Sequence, residues 1–374
     1  MTIDYQLRYH DGLYQDLADN GWQVHLVSNG GPIGTALNDH PGIHMHTVSM
    51  RRDPSPLADL ASLRLWVKTL RAVRPSIVVV GTPKAGLLGG LSALLVGVQA
   101  RVYELHGLRL ESASGPGRVL LRSIEQLSCA VASAVVAVGA SLRQRAIAER
   151  LTRLNKIRVL GAGSPSGVNI QRFTRARRDE DGKAELRKQL GIPADEPIVT
   201  FVGRINPDKG IATLTEAMAK VQALSGAHLL VVGPTDGTAG YSSVELMKVL
   251  LPRVITVGDV GNVAPYIAVS DVLCLPSRRE GLPTVVLEAF AARVPVVATR
   301  ATGIVDLIDH RRTGLLVNID AVDELASAIL TLLKDKALAD ALASRAFTRV
   351  ETQYADDVVR QRWVHYLTGL LREE

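Results

Sequence analysis

At 374 residues and 40.2 kDa the chain exceeds what one hydrophobic core usually organises, so two domains are expected. Its 47% apolar and 21% charged content exclude a disordered or fibrous chain, and 4% aromatic content argues against recognition by ring stacking. The formal charge of +6 is uneven: residues 1–175 hold 20 Lys or Arg against 11 Asp or Glu, and the remainder 23 against 26, so the first half is basic and suits an anionic partner.

The N-terminus Met1-Thr2-Ile3-Asp4 lacks the basic flank and apolar core of a signal peptide. Strands are expected at Val24 to Ser28, His44 to Val48, Ile77 to Val80, Arg101 to Glu104, Ala134 to Val138 and Ile157 to Leu160, with helices between them such as Pro56 to Val73 and Gly117 to Ala130. The apolar run from Ala85 to Ala100 is shorter than a bilayer span of about 20 residues and reads as a buried helix. Cys129 and Cys274 each lie inside an apolar run, too few for a disulfide framework and without a CxxC pair for a metal, so a reducing compartment is expected. Gly161 to Gly167 and the charged stretch Arg172 to Lys188 together read as an interdomain linker. The alternation then restarts, with strands at Ile198 to Val202, His228 to Val232, Val254 to Val257, Val272 to Leu275, Val294 to Ala298 and Leu315 to Val317. The expected helices are Ile211 to Leu224, Pro283 to Ala292 and Val322 to Leu333. This pattern implies an α/β protein with two doubly wound, Rossmann-like domains facing across a cleft and ligand at the carboxyl ends of the strands.

Two segments carry chemistry. Gly203-Arg204-Ile205-Asn206-Pro207-Asp208-Lys209-Gly210 follows an apolar strand and precedes a helix, placing two cations at the strand's carboxyl edge as a diphosphate requires. Alone, it also fits a βα turn with solvated charges, and it lacks the spacing of a Walker loop. Pro276 to Ala289 follows the strand at Val272 to Leu275. Pro283 suits a helix start, so Gly281, Leu282, Pro283, Thr284 and Val285 would lie at a positive helix end that binds phosphate. Glu280 precedes that helix and Glu288 sits more than one turn inside it, so the two carboxylates could address separate hydroxyls of one ligand.

The segment from Arg279 to Ala289, with Glu280 and Glu288 eight positions apart, resembles the signature of the retaining glycosyltransferases of family four, which have the GT-B fold. Gly203 to Gly210 resembles that family's phosphate-binding turn, and Gly167-Val168-Asn169 to Phe173 its linker. Thr82 to Gly89 and Leu105-His106-Gly107-Leu108-Arg109 resemble the capsular and exopolysaccharide branch. The resemblance implies retaining, metal-independent transfer of a sugar from a nucleotide-sugar donor, most often a UDP-sugar, with no cofactor. Arg204 and Lys209 would neutralise the leaving diphosphate, Gly203 would belong to the turn that receives it, Glu288 would hold the ribose hydroxyls and Glu280 hydroxyls of the sugar. His106 would contact the donor sugar from the first domain, and Lys84 is a weaker candidate on the acceptor side. The implied acceptor is a polyprenyl diphosphate-linked sugar or a glycan of capsule, exopolysaccharide or O-antigen synthesis. The enzyme would be cytoplasmic, peripheral at the inner face of the cytoplasmic membrane and drawn to its anionic surface.

The implied domains are residues 1–168 for acceptor, 169–352 for nucleotide sugar, and a C-terminal helix at 353–374 packing back on the first. Family members open with an apolar strand, whereas Met1 to Asp11 is polar and Gly12 to Asn20 already resembles the first helix. The natural reading frame is therefore expected to begin upstream, leaving a gap between Val24 to Ser28 and Ile77 to Val80. Two alternatives remain: a sugar-nucleotide epimerase of similar fold and a non-enzymatic basic binding protein. No helix-turn-helix, zinc finger or aromatic RNA-binding signature marks a nucleic-acid partner.

Overall fold

The computed structural model describes residues 2–50 and 55–372. They form two compact units, one of residues 1–167 with 357–374 and one of 168–356.

In the first unit, residues Asp4–His10 form a 3-10 helix. There follow α1 (Leu13–Asp19), β1 (Val24–Ser28), α2 (Pro32–Asn38), β2 (Ile43–Thr47), α3 (Pro56–Val73), β3 (Ile77–Val80), α4 (Pro83–Val96), β4 (Ala100–Leu105), α5 (Gly115–Val131), β5 (Ala134–Ala137), α6 (Ala140–Ala148) and β6 (Ile157–Arg158). The strands lie in two parallel sheets, β1-β2 and β3-β4-β5-β6. Successive residues of β4 face opposite sides. Val102 packs with Leu13 and Leu17 of α1 and with Trp363 and Leu367 near the chain's end. Tyr103 faces α4, where a Cβ on Gly86 would lie 2.5 Å from its ring, so only glycine lets helix and ring approach. Helices thus cover both faces of the four-stranded sheet.

The second unit continues with α7 (Ile170–Arg178), α8 (Glu180–Gln189), β7 (Ile198–Val202), α9 (Ile211–Ser225), β8 (His228–Val232), α10 (Gly237–Leu250), β9 (Val254–Gly258), α11 (Ala264–Ala268), β10 (Val272–Leu275), α12 (Thr284–Ala291), β11 (Val296–Thr299), α13 (Ile304–Leu307), β12 (Leu315–Val317), α14 (Val322–Lys334) and α15 (Lys336–Gln353). The last helix, α16 (Asp356–Arg372), returns the chain to the first unit. One parallel sheet runs β12-β11-β10-β7-β8-β9. Its inner strands are buried along their whole length, which is why they read as continuous Val, Ile and Leu runs.

The charged stretch Arg172 to Lys188 is helical, not linker. The Asn169 side chain caps α7 by accepting from the Arg172 amide and the Asp179 side chain caps α8 by accepting from the Gly182 amide, while Phe173 turns inward. Arg177 spends its charge on the Ala268 carbonyl, 2.6 Å away. Smaller differences fall at element ends: β6 stops at Arg158, β11 begins at Val296, and Pro283 caps α12 instead of opening it.

Candidate active site

The order of the second sheet positions the site. From β7 the chain crosses to β8 on one side, and only after β9 does it return to lay β10 on the other. Between β7 and β10 the winding reverses, and a doubly wound sheet opens a ligand crevice there, at the strands' carboxyl ends. The two chemistry-bearing segments leave exactly those two strand ends, although about 70 residues separate them. They touch at Gly210, whose φ is +68° and where a Cβ would lie 2.0 Å from the Pro276 carbonyl oxygen. Only glycine serves at that crossing.

Lys209 and Glu280 meet across the junction at 2.6 Å, and the buried Ser277 hydroxyl donates to the same Glu280 oxygen at 2.6 Å. Both ion-pair side chains are largely shielded from solvent. Arg204, half exposed, pairs with Asp236 at 2.6 Å. Arg279 pairs with Asp208 at 2.6 Å and Arg278 with Asp320 at 2.9 Å. The edge is therefore rich in cations already matched to carboxylates. An anionic ligand entering here competes with those carboxylates for cations that are already held in place, which lowers the cost of ordering them. Gly203 opens the turn with its amide bonded to the Val232 carbonyl.

Gly281, Leu282 and Pro283 lead into α12, with Leu282 and Pro283 buried and Thr284 exposed at the first helical position. Gly281 is overlaid by Gly303, where a Cβ would stand 2.1 Å from the Gly281 carbonyl oxygen. Glu288 is the fifth residue of α12 and half-buried. Burial pushes its carboxyl up to about 7 against the opposing charge of Arg172, whose guanidinium is fixed by Asn262 Oδ1 at 2.6 and 3.1 Å.

In the first unit, His106 follows β4 and its Nε2 lies 3.2 Å from Glu104 Oε2, with the Tyr9 ring tilted over it at 4.8 Å. Glu104 also takes His10 Nε2 at 2.6 Å. Burial alone would raise the Glu104 carboxyl, but the two imidazoles outweigh it and hold it at about 2. Lys84 is engaged by Asp59 of α3 at 2.8 Å. Asp208, Asp236, Ser277 and Arg172 are site neighbours that the sequence reading did not single out. Among the described residues, no group of three or more His, Cys, Asp or Glu is placed to hold a metal ion, and no helix is long and apolar enough to cross a membrane.

Residues 7–163 match the model of the glycosyl transferase 4-like domain, and residues 196–335 that of the glycosyl transferases group 1. The chain belongs to the glycosyltransferases. It is 28% identical to the capsular polysaccharide biosynthesis glycosyltransferase CapM of Staphylococcus aureus over 376 residues, covering 100% of this chain and 97% of that protein. It is 24% identical to the UDP-Gal:alpha-D-GlcNAc-diphosphoundecaprenol alpha-1,3-galactosyltransferase of Escherichia coli, over 87% of this chain and 84% of that enzyme. Anabaena HepE, solved with UDP-glucose, superposes with a TM-score of 0.79 at 22% identity, covering 96% of this chain and 95% of that one. The shared fold is GT-B, with two Rossmann-like domains.

Proposed function

We propose that this glycosyltransferase moves a hexosyl unit from a UDP-sugar to a lipid-linked or polysaccharide acceptor in capsule, exopolysaccharide or O-antigen synthesis, with retention at the anomeric carbon and without a metal. The observation that carries the reading is the junction of the β7 and β10 loops, where Arg204, Lys209, Glu280 and the start of α12 converge on a topological switch point. Breaking the glycosidic bond of a nucleotide sugar builds charge on the departing diphosphate. Arg204 and Lys209 stabilise that charge more in the transition state than in the ground state. Glu280, released from Lys209 as the diphosphate arrives, accepts from hydroxyls of the donor sugar. Glu288 accepts from the ribose hydroxyls. The UDP of HepE and the diphosphoundecaprenol acceptor of the E. coli relative support the choice of donor and acceptor class. The capsular role of CapM supports the product class.

A thermal-shift panel of nucleoside diphosphates tests the donor. UDP at about 100 times its dissociation constant should stabilise the fold by roughly 2.7 kcal/mol, with GDP and ADP much less effective. A larger shift with GDP or ADP would reassign the donor, and no shift with any of them would remove the nucleotide reading.

A further inference from the structure

Of the nine histidines in the chain, four fall between residues 25 and 46. Three of them, His25, His44 and His46, share one face of the two-stranded sheet. In the parallel register His25 of β1 stands opposite His44 of β2, and His46 lies two residues further along β2 on the same face. His25 and His44 are exposed and His46 is half-buried. The His25 ring centroid lies 4.9 Å from that of His44 and 5.3 Å from that of His46. His25 Nδ1 and His46 Nε2 meet at 3.0 Å, while His44 Nε2 is turned aside onto Gln23 Oε1 at 2.9 Å. Among the described residues none of the three pairs with a carboxylate, whereas the fourth, His40, has Asp19 at 3.6 Å.

Two imidazole nitrogens that close share either a proton or a metal ion to which each gives a lone pair. On one tetrahedral or octahedral ion, nitrogens bonded at about 2.0–2.1 Å stand about 3.0–3.4 Å from each other. The separation of His25 and His46 already falls in that range. In the resting arrangement only these two converge. His44 joins them by rotating its exposed side chain between staggered wells, giving up one exposed hydrogen bond of small worth. Two histidines two residues apart on one strand and a third on its neighbour can then turn three nitrogens to one point above the sheet. The strands concerned need a tie: β1 and β2 form a sheet of their own, and two strands alone are marginal.

We propose that His25, His44 and His46 bind one divalent transition-metal ion of the zinc class, with water completing its shell, and that the ion clips β1 to β2. Imidazole suits zinc, nickel and copper, whereas magnesium and calcium take oxygen ligands that this face does not offer. The three histidines belong to the first unit and the diphosphate-binding residues to the second, so the site stands independently of the transfer reading.

Titration of the intact chain, free of any affinity tag, with Zn2+ against a chromophoric chelator reads the site. The expected result is one zinc ion per chain, with affinity lower by at least about tenfold in each of His25→Asn, His44→Asn and His46→Asn and unchanged in His40→Asn. In the unaltered chain zinc should shift the imidazole resonances of His25, His44 and His46 and leave those of His40 in place. Amide exchange in β1 and β2 should slow about tenfold with zinc at about ten times its dissociation constant, and not in the three variants. Exchange of each variant without zinc, compared with wild type, reports separately on its fold. No binding below about 1 mM zinc, or unshifted resonances of His25 and His46, overturns the site and leaves a pair of imidazoles sharing a proton. Affinity unchanged in a folded His44→Asn variant overturns the three-ligand arrangement, and zinc that binds without slowing exchange in β1 and β2 overturns the clip.

Discussion

Glu288 shows how one side chain ties the fold to ligand chemistry. Burial raises its carboxyl from an ordinary 4.5 to about 7. The folded chain therefore keeps a proton that the unfolded chain releases, so its contribution to stability is present below 4.5 and is lost as pH rises through about 7. Ligand binding runs the other way. Ribose hydroxyls donate, and a carboxylate accepts from both where a neutral carboxyl offers less, so binding selects the ionised form. UDP affinity should be full above pH 7 and fall by up to about tenfold per unit below it. Glu288→Gln removes that dependence, and subtracting its profile from the wild-type one cancels titration of the phosphate itself. Identical pH profiles for the two proteins would contradict the assignment of Glu288 to the ribose. Glu280 was legible as a candidate from its place in the loop after an apolar strand, and the structure brings Lys209 of the β7 loop to it at 2.6 Å. The partners Asp236 on Arg204 and Ser277 on Glu280 were not, because they come from other turns or carry no motif of their own.

At the scale of elements, the loops after β7 and β10 act as one device because they cross at Gly210. Alanine there meets two penalties, a left-handed backbone and a carbonyl oxygen where its Cβ must go. Gly210→Ala should cost at least about 2 kcal/mol and lower UDP affinity as well, since relief of the clash parts Lys209 from Glu280. Gly191, with φ of +69° and nothing within 4 Å of its would-be Cβ, is the control: Gly191→Ala should cost about 1 kcal/mol and leave affinity unchanged. Chemical denaturation and UDP titration of both variants decide it, and equal behaviour would remove the crossing as a cause. The buried strands were legible because burial on both faces demands unbroken apolar runs. Helices α7 and α8 were not, because their cations mask a single inward Phe173 and the cap Asp179 sits within a run of other charged residues.

For the whole molecule, the repeated alternation of strand and helix disclosed an α/β fold, but the order of the strands lay beyond the sequence. Periodicity reports which face is buried, not which strand lies alongside. It is the placement of β10 beside β7 that turns two separate loops into one site. On the proposed function, this site receives a departing diphosphate. Turnover of the UDP-sugar and UDP affinity, measured together in wild type, Arg204→Ala and Lys209→Ala, test it most directly. Turnover should be lower by about 100- to 1,000-fold in each variant, with a smaller loss in affinity, because each cation acts mainly on charge that develops as the bond breaks. Wild-type turnover in either purified variant would contradict it.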